Sequence, residues 1–298
     1  MTVILKYFQQ EISTVQLMSL PKKILQCGQL QLDLSQPQIM GILNVTPDSF
    51  SDGGLYYSQD QAVAHARQMI KDGATIIDIG GESTRPNATT VSVDDELKRV
   101  IPVVEKLAQE QVVISIDTSQ PEVIRAAVAA GAHLWNDVRA LTRPNALETA
   151  AKLDVPVILM HIRGEPSTMN QLAKYEHVTF EVMQELQQRI DQALQAGVRA
   201  ENIILDPGFG FAKNTAQNLK LLQEFWQLHA LGYPILSALS RKRFIGAVLE
   251  QPEAGERMIG SVAAHLISIQ QGACMVRVHD VKATAQAIKI WQAMQHAE

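Results

Sequence analysis

The sequence predicts an α/β fold, a (β/α)8 TIM barrel with an N-terminal β-hairpin. Short apolar runs of strand length alternate with segments of helical spacing from residue 39 to the end of the chain. Eight such pairs fit a closed barrel better than an open sheet. Glycine follows five of the helical segments and favours the left-handed backbone that ends a helix. These glycines are Gly73, Gly131, Gly197, Gly232 and Gly272.

An open, doubly wound sheet is the alternative that the same alternation allows. Such sheets that bind dinucleotides carry a glycine-rich loop directly after the first strand. In this chain the first strand is followed by Asn44-Val45-Thr46-Pro47, which has no such glycines. The closed barrel is therefore the favoured architecture.

An uninterrupted apolar run, bounded by turn-forming residues, predicts the first barrel strand over 39–43. The next strands are predicted over 75–79, 112–116, 134–135, 155–160, 203–205, 235–239 and 274–278. Helices are predicted over 59–72, 94–109, 121–130, 145–153, 177–196, 216–231, 256–271 and 281–295. Ser92 with Asp95, and Ser119 with Glu122, have the spacing of side chains that cap helix N-termini.

The chain before the first barrel strand divides into two parts. Residues 23–36 alternate apolar and polar side chains around Cys27-Gly28-Gln29, a pattern typical of a β-hairpin that covers the bottom of the barrel. Residues 1–22 carry no long apolar run and no small-residue cleavage site, so we expect an extension and not a signal peptide. We assign residues 23–298 to one domain.

The composition narrows the function classes. A formal charge of −5 argues against general binding to nucleic acids or anionic membranes, which requires a basic face. No segment approaches the roughly 20 apolar residues of a membrane span. The two cysteines, Cys27 and Cys274, lie far apart in the sequence and have no metal-ligand spacing, so we expect a cytoplasmic protein with reduced thiols.

Polar residues follow the predicted strands, and the C-terminal ends of barrel strands meet at one rim. Acids and amides dominate the first six strand ends, whereas cations collect after the last two, the usual phosphate-binding corner of this architecture. In order, the strand ends carry Asn44, Asp78 with Glu82 to Arg85, Asp117, Asn136 with Asp137, His161 with Arg163, Asp206, Ser240-Arg241-Lys242-Arg243, and Arg277 with His279.

Seven segments resemble the dihydropteroate synthase family, in the family's order and over nearly all of the chain from residue 38. They are Asn44-Val45-Thr46-Pro47-Asp48-Ser49-Phe50, Gly81-Glu82-Ser83-Thr84-Arg85-Pro86, Asp117-Thr118-Ser119, Asn136-Asp137, Asp206-Pro207-Gly208-Phe209-Gly210-Phe211, Ser240-Arg241-Lys242 and Arg277-Val278-His279-Asp280. The resemblance implies condensation of 6-hydroxymethyl-7,8-dihydropterin diphosphate with p-aminobenzoate, giving dihydropteroate for folate synthesis. It also implies inhibition by sulfonamides, which mimic p-aminobenzoate.

The resemblance implies roles for individual residues. The pterin is expected to contact Asp117, Asn136, Asp206 and Lys242, and the diphosphate is expected to contact Arg277 and His279. Ser240 is a further expected substrate-binding residue. Four of these residues, Asp117, Lys242, Arg277 and His279, are the expected catalytic residues. Phe50 is expected to flank the p-aminobenzoate ring, beneath a mobile lid formed by the loops around Asp48 and Arg85. Thr84 is expected to contact substrate, and Met160 is expected to line the pocket.

Two further expectations come from the resemblance. Asn44 is expected to bind Mg2+, an ion that prefers oxygen ligands and is usually held by few protein groups together with phosphate oxygens and water. A homodimer, formed through the late helices, is the expected assembly. Three positions depart from residues common in the family, namely Ala212, Ala238 and Asn87, which concerns the shape of the pocket and not the assignment.

Structural roles compete with each of these assignments. Asp117 and Asp206 could cap the turns that follow them, the cations could form a solvated face, and Asn44 could bond to its own loop. A pterin-binding methyltransferase of related architecture is the second enzyme hypothesis, and a catalytically silent pterin-binding protein is the third. The cations around Lys242 and Arg277 argue against the methyltransferase, and the presence of Asn44, Asp117 and Lys242 argues against the silent protein.

Overall fold

The computed structural model describes residues 24–45, 55–82 and 91–297, and for residues 55–58 it describes the backbone alone. The predicted extension, residues 1–22, lies outside this part of the chain. So do Phe50, Thr84 and Arg85, together with the two loops predicted to be mobile. Over the described ranges, no helix has the length and hydropathy needed to cross a membrane.

The predicted hairpin is confirmed. Strands β1 (Ile24–Cys27) and β2 (Leu30–Asp33) pair in antiparallel register, with Leu25 opposite Leu32. Alternation along β1 buries Leu25 and Cys27 and leaves Ile24 46% exposed on the other face. The hairpin therefore has one apolar face that needs a partner.

Eight parallel strands confirm the predicted barrel. They are β3 (Gln38–Asn44), β4 (Ile76–Gly80), β5 (Val113–Asp117), β6 (Leu134–Asp137), β7 (Val157–Met160), β8 (Ile203–Asp206), β9 (Leu236–Ser237) and β10 (Met275–Val278). Hydrogen bonding runs in the order β8-β7-β6-β5-β4-β3-β10-β9. A parallel bridge between Leu205 and Ile235 joins the two outer strands and closes the ring.

The helices cover the outside of the ring. They are α1 (Leu55–Lys71), α2 (Val93–Leu107), α3 (Pro121–Ala129), α4 (Ala146–Leu153), α5 (Val178–Gln195), α6 (Thr215–Gln223), α7 (Arg243–Leu249), α8 (Met258–Gln270) and α9 (Val281–Gln295). Short 3-10 turns span Met169–Leu172, Ala200–Asn202, Phe225–Leu231 and Ala254–Arg257. The five glycines predicted to end helices all have positive φ angles, from 79° at Gly232 to 114° at Gly131, as predicted.

The structure corrects three details of the prediction. The helix predicted over 216–231 is α6 followed by a 3-10 turn, in which Phe225 and Leu228 are buried. Helix α7 was not predicted, because its seven residues are too few for a periodic pattern. The seventh barrel strand is only Leu236–Ser237, shorter than the predicted 235–239.

The two predicted N-caps have different outcomes. Ser92 caps α2, since its hydroxyl accepts a hydrogen bond from the Asp95 backbone N–H at 3.2 Å. Ser119 does not cap α3, which begins after Gln120 with Pro121 in its first turn. The Ser119 hydroxyl instead donates to the Asp137 carboxylate on the neighbouring strand. The hydroxyl that was predicted to cap the helix therefore bonds to a buried acid instead.

The hairpin plugs the N-terminal end of the barrel. Leu25, Cys27 and Leu32 are each at most 5% exposed and pack against an apolar layer that takes one residue from every barrel strand. This layer consists of Met40, Ile76, Val113, Leu134, Ile158, Ile204, Leu236 and Met275. We call the hairpin residues and this layer the plug. The opposite rim is left for polar residues.

Candidate active site

One arginine connects acids from two neighbouring strands at the rim. The Arg277 Nε donates to Asp78 Oδ2 at 2.6 Å, and its Nη2 donates to Asp117 Oδ2 at 2.7 Å. Asp78 also accepts from Asn136 Nδ2 at 3.0 Å and from the Ser115 hydroxyl at 2.6 Å. Strands β4, β5, β6 and β10 are therefore joined by one buried charged network, which fixes the Arg277 guanidinium in one orientation.

Asp117 has an acceptor to spare. Its Oδ1 atom is buried and has no hydrogen-bond partner among the described residues. Burial raises the pKa of Asp117 to about 7, although the Arg277 charge acts to lower it. A buried carboxylate oxygen without a partner is costly in a folded protein, so it marks a position where a ligand donor would be accepted.

Asp206 and Lys242 form a second part of the rim. Asp206 Oδ1 accepts from the Gly208 N–H at 2.7 Å, and the Lys242 ammonium lies 4.2 Å from the centre of the Phe211 ring. Burial lowers the pKa of Lys242 to about 8, while Asp206 acts to raise it. Gly210 has φ +77°, and a Cβ atom placed there would lie 2.9 Å from Lys242 Cδ. Glycine at this position therefore gives the lysine room to lie over the ring.

Four consecutive residues after β9, from Ser240 to Arg243, have different surroundings. Ser240 faces β10, because its hydroxyl accepts from the His279 backbone N–H at 3.1 Å and lies 2.9 Å from His279 Nδ1. Arg241 forms a two-pronged ion pair with Asp280 at 2.9 and 2.6 Å, so its charge is used within the structure. Arg243 is exposed at the start of α7. Lys242 is thus the cation of this run that lies beside the buried acids.

Asn44 lies at the end of β3 in register with Gly80, and Gly80 lies in register with Asp117. A Cβ atom placed on Gly80 would be 3.8 Å from Asn44 Oδ1 and 3.7 Å from Asp117 Oδ2. The two oxygens therefore flank the same glycine. No group of three or more histidine, cysteine or acidic residues suited to a metal occurs within the described ranges.

The β7 side of the rim is apolar, with a buried histidine behind it. Met160 packs with Val138, Met169, Phe211 and Ala212. His161 is 3% exposed, and its Nε2 lies 3.0 Å from Glu185. Its Nδ1 lies 2.9 Å from the Lys213 ammonium. Burial and the Lys213 charge lower the pKa of His161 to about 4, so its imidazole is neutral near pH 7.

Three residues at or near the rim were not assigned a role in the sequence analysis. Ser115 is two residues before Asp117 in β5 and therefore faces the same side, a signal that alternation could have supplied. Phe211 belongs to the glycine-containing segment after β8 that the sequence already singled out. Lys213 is 6% exposed and donates to the carbonyl oxygens of that loop, and nothing in the sequence distinguishes it from a surface lysine.

The structure thus brings together all the predicted site residues that it describes. They lie in the last two residues of a strand or in the segment that follows it, at the same rim, and they are Asn44, Asp117, Asn136, Met160, Asp206, Ser240, Lys242, Arg277 and His279. Their contacts with substrates stay predictions. Phe50, Thr84 and Arg85 lie outside the described residues, and their roles stay predictions as well.

Comparisons with known proteins agree on one family. A model described as "Pterin binding enzyme" matches residues 40–279. The dihydropteroate synthase of Haemophilus influenzae is 52% identical over 267 residues, which cover 89% of this chain and 97% of that protein. A Xanthomonas albilineans dihydropteroate synthase structure with 4-aminobenzoic acid has 49% identity and a TM-score of 0.88, covering 93% of this chain and 99% of the other.

A Yersinia pestis dihydropteroate synthase structure, solved as a sulfonamide drug complex, has 49% identity and a TM-score of 0.87. It covers 92% of this chain and 100% of the other. The range matched by the family model, residues 40–279, contains all the rim residues described above. The chain belongs to the dihydropteroate synthase family of pterin-binding enzymes.

Proposed function

We propose that the chain condenses 6-hydroxymethyl-7,8-dihydropterin diphosphate with p-aminobenzoate, forming 7,8-dihydropteroate and diphosphate in folate biosynthesis. The observation that carries the proposal is the pairing of buried acids and cations at one rim, where Arg277 contacts Asp78 and Asp117. Related enzymes have been solved with 4-aminobenzoic acid and with a sulfonamide drug. We therefore place p-aminobenzoate as the second substrate and sulfonamides as inhibitors.

The pterin end of the substrate suits the acids. A pterin presents a ring N–H beside an exocyclic amine, and a carboxylate accepts two such parallel donors well. Asp117 and Asp206 are at most 6% exposed, and Asp117 keeps one oxygen without a partner among the described residues. In the proposal Asn136 and Ser240 complete the pterin site, and Met160 lines the p-aminobenzoate side together with Phe50, Thr84 and Arg85.

The diphosphate end suits the cations. The carbon–oxygen bond to diphosphate breaks as negative charge accumulates on the leaving oxygen, so fixed positive groups nearby lower the barrier. Arg277, Lys242 and His279 supply these groups, and the acids hold Arg277 in place before the substrate arrives. The resulting methylene cation is delocalised into the pterin and faces Asp117. The neutral amine of p-aminobenzoate then attacks the methylene carbon, and the new carbon–nitrogen bond forms as the amine releases a proton to water.

We include Mg2+ as the cofactor and Asn44 as its protein ligand. The side-chain oxygen of Asn44 is the hard donor that this ion prefers. It lies beside Asp117 across Gly80. When bound, the ion would neutralise charge on the diphosphate, whose oxygens would complete its coordination together with water. The described residues contain no acidic cluster that would hold the ion without substrate.

A homodimer through the late helices is also part of the proposal. Large apolar side chains are exposed on α7, α8 and α9, of which α8 packs against the other two. They include Val248 at 56%, Ile259 at 78%, Ile290 at 74% and Met294 at 55%. Exposed apolar surface of this kind favours an interface. Light scattering should give the mass of a dimer for the wild type and of a monomer for Ile259→Glu, whereas a monomeric wild type would contradict it.

A cytoplasmic location fits the two cysteines, Cys27 and Cys274, which are unpaired thiols. In that compartment both would stay reduced. Locating the protein in fractionated cells would test this part of the proposal, and recovery outside the cytoplasm would contradict it.

Diphosphate release tests the reaction directly. The pterin diphosphate is supplied with Mg2+, with or without p-aminobenzoate, and dihydropteroate is measured alongside diphosphate. We expect dihydropteroate only when both substrates and the metal are present. Tight pterin binding without product would favour the silent pterin-binding protein. Methyl transfer from a methylated pterin, without dihydropteroate, would favour the methyltransferase.

A further inference from the structure

One face of α8 contacts the backbone of the loop that leads from β9 to α7. The Ser261 hydroxyl accepts from the Arg241 backbone N–H at 2.8 Å, and His265 Nε2 accepts from the Leu239 backbone N–H at 3.2 Å. Arg257, the residue just before α8, donates from Nη1 to the Arg241 carbonyl oxygen at 3.1 Å. These three side chains are spaced by four residues and therefore lie on the same face of the helix.

The contacts between α8 and the loop are buried. Arg257, Ser261 and His265 are each at most 8% exposed. Burial lowers the pKa of His265 to about 4, so its imidazole is neutral near pH 7 and its Nε2 can accept a hydrogen bond. The Ser261 hydroxyl also donates to the Arg257 carbonyl oxygen at 2.7 Å. Its donor and its acceptor are thus both used, which fixes the hydroxyl in one orientation.

The Arg257 guanidinium is held in place by carbonyl oxygens. Besides its contact with the loop, it donates from Nε to the Gln251 carbonyl oxygen at 3.0 Å and from Nη2 to that of Pro252. A Cβ atom placed on Gly246 of α7 would lie 2.7 Å from Arg257 Cζ. Glycine at this position therefore leaves room for the guanidinium beside the loop.

The loop that α8 contacts has a strained backbone. Arg241 has φ 56°, a left-handed value that is uncommon for a residue other than glycine and needs surrounding contacts to hold it. The helix supplies these contacts, since it binds both the N–H and the carbonyl oxygen of Arg241. That carbonyl belongs to the planar peptide unit that joins Arg241 to Lys242. The contacts thus set the direction in which Lys242 leaves the loop.

The position of the Lys242 side chain depends on this direction. Its ammonium lies 4.2 Å from the centre of the Phe211 ring. In the part of the chain that the structure describes, this ammonium forms no hydrogen bond. The neighbouring Ser240 differs, because its hydroxyl is held by the backbone N–H and the ring of His279. Lys242 therefore depends more than Ser240 does on the backbone of the loop.

We propose that Ser261 and Arg257 are positioning residues for Lys242, because they hold the two peptide units that precede it. His265 holds the start of the same loop. The inference rests on the proposed function, which places Lys242 beside the pterin diphosphate. Ser261 and Arg257 contact no substrate in this account and act through the position of the lysine.

A double-mutant cycle on binding tests the inference. The dissociation constant of the pterin diphosphate, with Mg2+ and without p-aminobenzoate, is measured by calorimetry for the wild type, Ser261→Ala, Lys242→Ala and the double variant. Ser261→Ala should weaken binding about tenfold in the wild-type background, as expected for residues coupled through a shared backbone shift. In the Lys242→Ala background it should change the dissociation constant by less than about twofold, because the side chain that it positions is gone.

Other variants separate positioning from general damage to α8. Ser268 is also buried on α8, and its hydroxyl donates to the His265 carbonyl oxygen and not to the loop, so Ser268→Ala is the matched control. It should bind the pterin diphosphate as the wild type does. Arg257→Met should reproduce the weakening seen for Ser261→Ala, and Arg257→Lys, which keeps one donor group, should recover part of it.

Each outcome decides the inference. Unchanged binding by Ser261→Ala, equal weakening in the two backgrounds, or equal weakening by Ser268→Ala would overturn it. If the wild type binds the pterin diphosphate but forms no dihydropteroate, the proposed function fails while the cycle still decides the inference. If the wild type does not bind the pterin diphosphate, both fail. Should Ser261→Ala fail to fold, Arg257→Lys takes its place in the same cycle.

Discussion

The two ends of the barrel are built from the same strands but hold opposite kinds of side chain. At the N-terminal end, the plug is a layer of one apolar residue per strand, closed by the hairpin. Only two residues further along five of these strands, the corresponding positions are Asp78, Ser115, Asn136, Asp206 and Arg277. Because side chains alternate along a strand, this change of character takes about 7 Å.

This difference indicates that one end of the barrel contributes stability and the other contributes function. In the plug, burial raises the pKa of Cys27 to about 12, so its thiol stays neutral and behaves as an apolar group. At the rim, burial holds Asp117 and Lys242 away from their ordinary pKa values while leaving them able to carry charge. The plug therefore contributes stability, and the rim gives up some stability to prepare charges for a substrate.

The largest expected effect is a loss of activity, caused by a substitution at the rim. Lys242→Ala removes a cation beside Asp206, and it should lower kcat/KM about 100- to 1000-fold, because the developing charge on diphosphate loses a fixed partner. Steady-state kinetics with thermal unfolding would measure this. Lys282→Ala, an exposed lysine on α9, is the control and should keep full activity. Unchanged turnover of Lys242→Ala would remove the residue from the mechanism.

The plug should show the reverse behaviour. Leu25→Ala leaves a cavity under the barrel and should lower the free energy of unfolding by about 2 to 5 kcal/mol. The kcat/KM per folded molecule should stay within about twofold of the wild type, because the rim is unchanged. Ile24→Ala, 46% exposed on the same strand, is the control for denaturant unfolding. Equal effects of the two substitutions would contradict the role of the hairpin as a plug.

Lowering the pH should reduce the free energy of unfolding, because His161 is buried in its neutral form. The pKa of this imidazole is lowered from 6.5 to about 4, chiefly by burial and by the Lys213 charge, while Glu185 opposes the shift. The unfolded chain therefore binds a proton between pH 6.5 and 4 before the folded chain does, so stability falls as the pH falls through this window.

The stability difference between wild type and His161→Gln should shrink by on the order of 2 kcal/mol over that window. Urea unfolding at a series of pH values measures it. A difference that stays constant would show that His161 is not held neutral.

The smallest expected effect concerns one hydroxyl. Ser240→Ala removes the acceptor that holds the His279 backbone N–H and lies beside its ring. The KM for the pterin diphosphate should rise roughly fivefold, equivalent to about 1 kcal/mol for one hydrogen bond. Ser268→Ala removes a buried hydroxyl that bonds only within α8, and it should leave that KM unchanged. A larger effect at Ser268 would contradict the assignment.

Much of the fold was predictable because local and tertiary signals agree. Apolar strands, helix-ending glycines such as Gly131 and the alternation of the hairpin all indicated the same barrel, and the structure confirms it. The exceptions are local. Helix α7 is too short to show periodicity, and Ser119 bonds to Asp137, a residue that only tertiary structure brings near it.

The site was predictable at the level of the rim and not of its contacts. Strand ends located Asp117, Asp206 and Arg277, because the architecture brings such ends together. The resemblance selected Lys242 and not Arg241 as a site residue, but the ion pair of Arg241 with Asp280 was visible only in the structure. Burial of Lys213 was equally hidden, since a single lysine shows neither its depth nor its partners.

The most direct test of this division is the ratio of kcat/KM between Lys242→Ala and Leu25→Ala, measured at a temperature where both variants are folded. We expect Lys242→Ala to lose about 100-fold or more in activity. Leu25→Ala should keep wild-type activity while unfolding at lower denaturant concentration. If both variants lost activity in proportion to their stability, the two ends would not have separate roles and the account would be contradicted.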